Sequence, residues 1–279
     1  MLQSAHLMHT ILAVSCLHLN HLRPGNLQRT LQEGYHWDRA VRLYQTAMQA
    51  TIGSDNVDAL IGSCILMGIN TVCPIGFRPS HSWVFTSNPA DLNWLALQGG
   101  MQCLLELTAP FIDHSIWGPS FRAIDEQLGP LRDDRPGRDG LPPALVDLCG
   151  IDDSTTERTS PYHRPLRLLS PMLRLEPYDQ PENYNLFVPF MGQLPPEFIS
   201  LLRAKDVAAL VILASWMGLM CTQMSFQVWI QGRILPECIA ICSYLESTAT
   251  DPRILQLIRF PALACGHWDS ECSAGSLPD

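Results

Sequence analysis

Leu7, Met8, Ile11, Leu12, Ser15 and Leu19 recur at three- and four-residue spacing, which predicts a first helix with this stripe turned inward and ended by Pro24-Gly25. Asn26 can cap a second helix whose inner face carries Leu27, Leu31, Tyr35, Val41, Tyr44 and Met48 and which ends near Gly53. Ser54 or Asp55 caps a third, running through Val57, Leu60, Ile61, Cys64, Ile65 and Met67 until Pro74 closes it. Short turns make these three antiparallel. Asn88 followed by Pro89 starts a fourth helix that extends to about Leu107, and Gly99-Gly100 inside it point to close backbone packing against a neighbour or ligand.

The pattern changes after residue 128. Stretches such as GPLRDDRPGRDGLPP and GIDDSTTERTSPYHRP are dense in Pro, Gly, Arg and Asp, and predict a mobile connection over 129–180 with solvated charges and short helical pieces at 144–149 and 166–173. Order resumes at Tyr184. A helix starts near Pro195 or Pro196, a long apolar one covers about 206–223, another about 226–246, and a short one follows Asp251-Pro252. No repeat and no sustained strand alternation occurs. The expected fold is all-α, a single domain of about 8–11 helices, with N-terminal helices in 1–128, C-terminal helices in 181–262 and a tail over 263–279.

Composition narrows the function classes. With 279 residues and 47% hydrophobic content the chain can bury a substantial core. Its formal charge is −9, and of 18 basic residues only Lys205 is a lysine, so no cationic cluster suits a row of phosphates and direct nucleic-acid binding is not expected. The ten cysteines are scattered through apolar runs with no C-x-x-C pair, which predicts a reduced, intracellular protein, nuclear or cytoplasmic. The N-terminal apolar stretch lacks a basic residue ahead of it and is interrupted by His6, His9, His18 and His21, so it reads as a helix rather than a leader. The uncharged run from Val207 to Gln231 contains Ser215, Thr222, Gln223, Ser225 and Gln227, and reads as buried helix rather than membrane span.

Several blocks carry a family resemblance when taken in order. LMHTILAVSCLHLNHLRP, HWDRAVRLYQTAM and DNVDALIGSCILMGI are followed by Asp91-Leu92-Asn93-Trp94-Leu95 with Leu97-Gln98-Gly99-Gly100. Residues 186 to 232 then supply the Pro-Pro-Glu-Phe start, the Leu210 to Ala214 helix and Trp229 before Gly232. Together they resemble the C-terminal regulatory domain of fungal zinc binuclear cluster transcription factors, especially the sterol uptake control type. The resemblance covers most of the chain outside 129–180. Family members carry His-Tyr where this chain has Ser215-Trp216, and a tryptophan where it has Arg233. The six-cysteine array of the DNA-reading head is absent from this sequence. The resemblance implies an all-helical sensor, dimeric in some members, that accepts a sterol in an apolar pocket and controls transcription.

Trp216, Met217, Met220, Met224, Phe226 and Trp229 place soft, bulky side chains on consecutive turns, and with Trp94 and Met101 they are the candidate lining of an apolar ligand pocket. Expected partners are an apolar small molecule of the sterol, terpenoid or polyketide kind, and a second copy or a full-length regulator. His6 with His9, and His18 with His21, have i, i+3 spacing but no completing ligand, and Cys238 and Cys242 lie one turn apart. No metal site or cofactor is expected. No G-x-S-x-G elbow, H-E-x-x-H, P-loop or dinucleotide fingerprint occurs, and no catalytic residue is assigned. The expectation is a non-enzymatic module. The alternative is a cofactor-independent cyclase or isomerase that works by positioning a reactive substrate in an apolar cavity.

Overall fold

The protein is all-α: in the computed structural model, which describes residues 4–74, 76–129, 132–175, 184–223 and 231–268, the described residues form helices and no strand. They divide into two compact units, Met1–Ile75 with Leu97–Glu126, and Gly76–Ala96 with Gln127–Asp279. No helix is long and apolar enough to cross a membrane among the described residues.

In the first unit α1 (Ala5–Leu22) and α2 (Leu27–Gln49) form an antiparallel hairpin, with α3 (Val57–Thr71) packed against both. Asn26 caps α2 as its position predicts, accepting from the Arg29 N–H at 3.0 Å. The face of α1 differs from the expectation. His6, Leu7, Thr10, Ala13, Val14, Leu17 and Asn20 are buried, whereas Met8, Ile11, Leu12 and Leu19 are exposed. The polar members of the buried face find long-range partners: His6 Nδ1 meets Ser63 Oγ at 2.8 Å and the Asn20 amide N–H donates to Glu33 at 2.7 Å, while Asn20 Oδ1 is buried without a hydrogen bond. On α2 the predicted stripe holds only in its C-terminal half. Tyr44 and Met48 pack on the cluster of Val57, Leu60, Ile61 and Leu104, while Leu27, Leu31 and Tyr35 are exposed.

The helix expected from Pro89 to Leu107 is broken. A 3₁₀ turn, Pro89–Leu92, leads into α4 (Asn93–Gln98), and α5 (Gly100–Thr108) restarts after Gly99. Nothing lies within 4 Å of a Cβ built on Gly100, so close packing does not account for this glycine. Glycine's low helix propensity accounts for the break instead. Helix α6 (Gly118–Leu128) follows a loop that Asp58 holds, its carboxylate accepting from Ser115 Oγ at 2.6 Å and the Ile116 N–H at 3.1 Å.

The second unit is built on α12 (Val207–Gln223), in which every residue from Ala208 to Met220 is buried. A helix apolar around its whole perimeter must sit inside a core. Around it pack α7 (Pro143–Cys149), α8 (His163–Met172), α11 (Pro196–Arg203), α13 (Ile234–Thr248) and α15 (Arg259–Ala264), with the short helices α9 (Tyr184–Phe187), α10 (Pro189–Gly192) and α14 (Pro252–Leu257) completing the unit. Lys205, at φ 57°, makes the left-handed turn that ends α11, and Asp206 then caps α12 by accepting from the Ala209 N–H at 2.9 Å.

In residues 132–175 the two short helices lie where expected and most of the charged side chains are exposed, as their composition suggests, but Arg167 is buried and ties down the 133–139 loop through Asp133 and three backbone carbonyls.

Candidate functional site

Three places in the second unit gather functional side chains. The first is the apolar helix end anticipated from sequence. Trp216 is fully buried, stacks on Phe190 with ring centroids 5.2 Å apart, and donates its indole N–H to Phe187 O at 3.0 Å. Met217 and Met220 are fully buried on the same helix. Trp94 is buried on α4 in this unit, and Met101 is half-buried on α5 in the first unit. Met224, Phe226 and Trp229 lie outside the described residues. The structure thus unites Trp216, Met217, Met220 and Trp94 within one unit, and does not bring Met101 into it.

Trp94 has a charged neighbour. The Arg233 guanidinium stands over the Phe77 ring at 4.3 Å and over the Trp94 ring at 5.2 Å, and pairs with the buried Glu237 at 3.3 Å. Cation–π contact with two rings offsets part of the cost of burying this cation. Burial pushes the Glu237 carboxyl up to about 7, against the opposing pull of Ser82 and Arg233. Desolvation likewise lowers the Arg233 pKa. Arg233 and Glu237 therefore place an ion pair beside Trp94 and Phe77, so this end of the unit is not purely apolar.

The second place is a polar cleft of about 840 Å³ lined by Asp133, Asp134, Glu157, Arg158, His163, Arg164 and Arg167. At its base Arg167 is almost wholly buried. One terminal nitrogen donates to Asp133 Oδ2 at 2.8 Å and Asp139 O at 2.7 Å, the other to Pro136 O at 3.1 Å and Gly137 O at 2.6 Å. Gly137 is itself indispensable to this loop: at φ +78° a Cβ would lie 2.7 Å from Asp153 O. Arg164 bonds Asp134 at 2.6 Å and Gln193 at 2.8 Å. Arg135 first, and Arg167 with it, hold the Asp133 carboxylate well below the ordinary range. His163 is lowered by burial and lies 3.2 Å from Gly137 O. These groups satisfy one another, so the cleft has the chemistry of a folded loop's ionic staple rather than of an acid–base centre. Sequence reading missed it because Arg167 and Asp133 are 34 positions apart and no local spacing links them.

The third place is a group of cysteines. Cys238 and Cys242, one turn apart on α13, meet Cys265 at the end of α15, with all three sulfurs within 4.8 Å of one another. Hydrogen bonds from Cys238, then from Cys242, hold the Cys265 thiol below its ordinary value, and Cys238 is raised, first by its bond with Cys221. His6 and His9 do not converge on one point: His6 bonds Ser63 on α3, whereas His9 Nδ1 lies 2.8 Å from His36 Nδ1 on α2. Asp113 accepts from Arg122 at 3.0 Å, and His267 Nε2 lies 2.8 Å from Glu246 Oε2.

Comparison with known protein families, with curated proteins and with solved structures finds no match to this chain.

Proposed function

We propose that this chain is a non-catalytic sensor module that binds an apolar metabolite of the sterol, terpenoid or polyketide kind and acts in transcriptional regulation, alone or with a full-length regulator. The observation that supports it is α12: a helix buried on all sides that carries Trp216, Met217 and Met220 on consecutive turns leading to the segment where the resemblance puts the ligand. Methionine side chains repack around irregular apolar shapes at low cost, which is what a sensor core must do when a ligand enters. The catalytic alternative has weaker support. The buried Arg167 and Glu237 are each paired, with the half-buried Asp133 and Arg233 respectively, an arrangement that neutralises these charges within the fold.

Tryptophan emission tests the reading directly, because the buried Trp216 reports on its own surroundings. Titrating the purified, reduced protein with a solubilised sterol should change the emission saturably and raise the unfolding temperature, and Trp216→Phe should remove most of the emission change. A chain fused to an unrelated DNA-binding domain should then make a reporter respond to the same compound. If sterol, terpenoid and polyketide probes all leave emission and melting unchanged, the sensor reading fails.

A further inference from the structure

Three thiols drawn from two helices converge on one buried point. Cys238 and Cys242 share a face of α13 because residues four apart lie one above the other, and Cys265 reaches them from the end of α15. What brings α15 this close is Gly218 on α12. A Cβ there would lie 2.8 Å from Pro261 Cα, so only glycine lets the two helices touch. Cys238 and Cys242 have no solvent exposure and Cys265 has 6%. Single buried cysteines serve as small hydrophobes anywhere in a core, but three sulfurs within 4.8 Å of one another are a donor set.

We propose that Cys238, Cys242 and Cys265 form a binding site for one soft, thiophilic metal ion, with copper(I) as the ion the donor set fits best. Thiolate–metal bonds of about 2.3 Å put sulfurs roughly 3.8–4.0 Å apart around one ion, a spacing this cluster reaches with sub-ångström adjustments. The grouped donors are sulfur only, with no imidazole or carboxylate among them. Soft sulfur donors select copper(I) or zinc, and zinc completes a tetrahedron with a fourth ligand. Burial leaves little access for a water in that role, and Cys221, though bonded to Cys238, lies outside the group of sulfurs within 4.8 Å of one another, whereas copper(I) is satisfied by three sulfurs. Each thiol that becomes a ligand releases its proton to solvent, and the ion keeps its oxidation state. Backbone carbonyls also stand within reach of the sulfurs, Pro261 O at 3.7 Å and Ala214 O at 3.9 Å from Cys238 and Ala262 O at 3.6 Å from Cys265.

The test is an anaerobic titration of the reduced full chain with copper(I) against a coloured copper(I) chelator. One ion per chain should be withheld from the chelator, with a near-ultraviolet thiolate-to-copper band. Cys242→Ser should lose both signals and the exposed-site control Cys103→Ser should keep both. Because Cys242→Ser can also damage the core, X-ray absorption on the copper-loaded wild type supplies an independent readout, with three sulfur neighbours expected. Failure to compete with the chelator, equal competition by Cys242→Ser, or a shell of nitrogen and oxygen would each overturn the proposal. So would zinc bound in preference to copper(I) with four sulfurs, which would recruit Cys221 and make the site a different one.

Discussion

Among individual residues, Arg167 and Glu237 carry opposite electrostatic situations. Arg167 is buried with its hydrogen bonds filled by Asp133 and three carbonyls, so its removal leaves those carbonyls without their donor, while Asp133 keeps only its exposed partner Arg135. Arg167→Met should therefore cost on the order of 3–5 kcal/mol in urea unfolding, far beyond the loss of a surface ion pair such as Arg42 with Asp38. Glu237 is destabilised by its own charge. Its folded pKa of about 7 lies above the ordinary 4.5, so the stability it contributes is fully present below pH 4.5 and is lost as pH rises through 7. That loss is on the order of 3 kcal/mol. His6, His9 and His163, all lowered on folding, give an opposing trend as pH rises through 6.5, so the measurement must be differential. Relative to wild type, Glu237→Gln should gain stability steadily as pH rises from about 4.5 to 7 and hold that gain above. A wild-type-minus-variant difference flat across that window would refute the assignment.

For whole elements, the instructive case is α1, whose period is legible in the sequence but whose phase is not. Apolar residues occupy most of its circumference, so two stripes compete, and the buried one contains His6, Thr10 and Asn20. Binary pattern rejects those three. Only long-range partners such as Ser63 and Glu33 make them suitable core residues. Leu17→Ala should accordingly cost about 2–5 kcal/mol, while Leu19→Ala, a truncation of the same chemistry on the exposed side, should stay within about 0.5 kcal/mol. The packing of α12 on α15 makes a second element-scale prediction. Gly218→Ala forces a Cβ against Pro261 backbone, which cannot swing aside like a side chain, and should cost about 1–3 kcal/mol and loosen the cysteine cluster with it. Helix α12 was legible in the sequence, since its uncharged apolar run predicts a helix over about 206–223 and it spans Val207–Gln223, while the Asp206 cap is seen only in the structure.

Across the whole molecule, legibility follows how local the determining contacts are. All-helical class and the proline and asparagine starts depend on neighbours a few residues away, and the uncharged run around Trp216 and Met220 marks a buried helix whatever its partners, so sequence pattern captures them. The ionic loop around Arg167 and the meeting of Cys265 with Cys238 depend on partners many positions distant, and pattern does not. The same distant pairing decides how the chain presents its charge. Its net charge is −9, and many of its arginines are already matched: Arg122 with Asp113, Arg135 with Asp133, Arg164 with Asp134, Arg233 with Glu237 and Arg253 with Asp251. Nucleic-acid affinity at physiological salt is driven by cations that displace condensed counterions from phosphates. Arginines held by carboxylates displace few. This chain alone should therefore show no retention of duplex DNA in a filter or mobility assay at about 0.15 M salt, and none that appears on lowering the salt to about 0.05 M. Retention that weakens steeply between those two concentrations would reveal a free cationic surface and overturn the expectation.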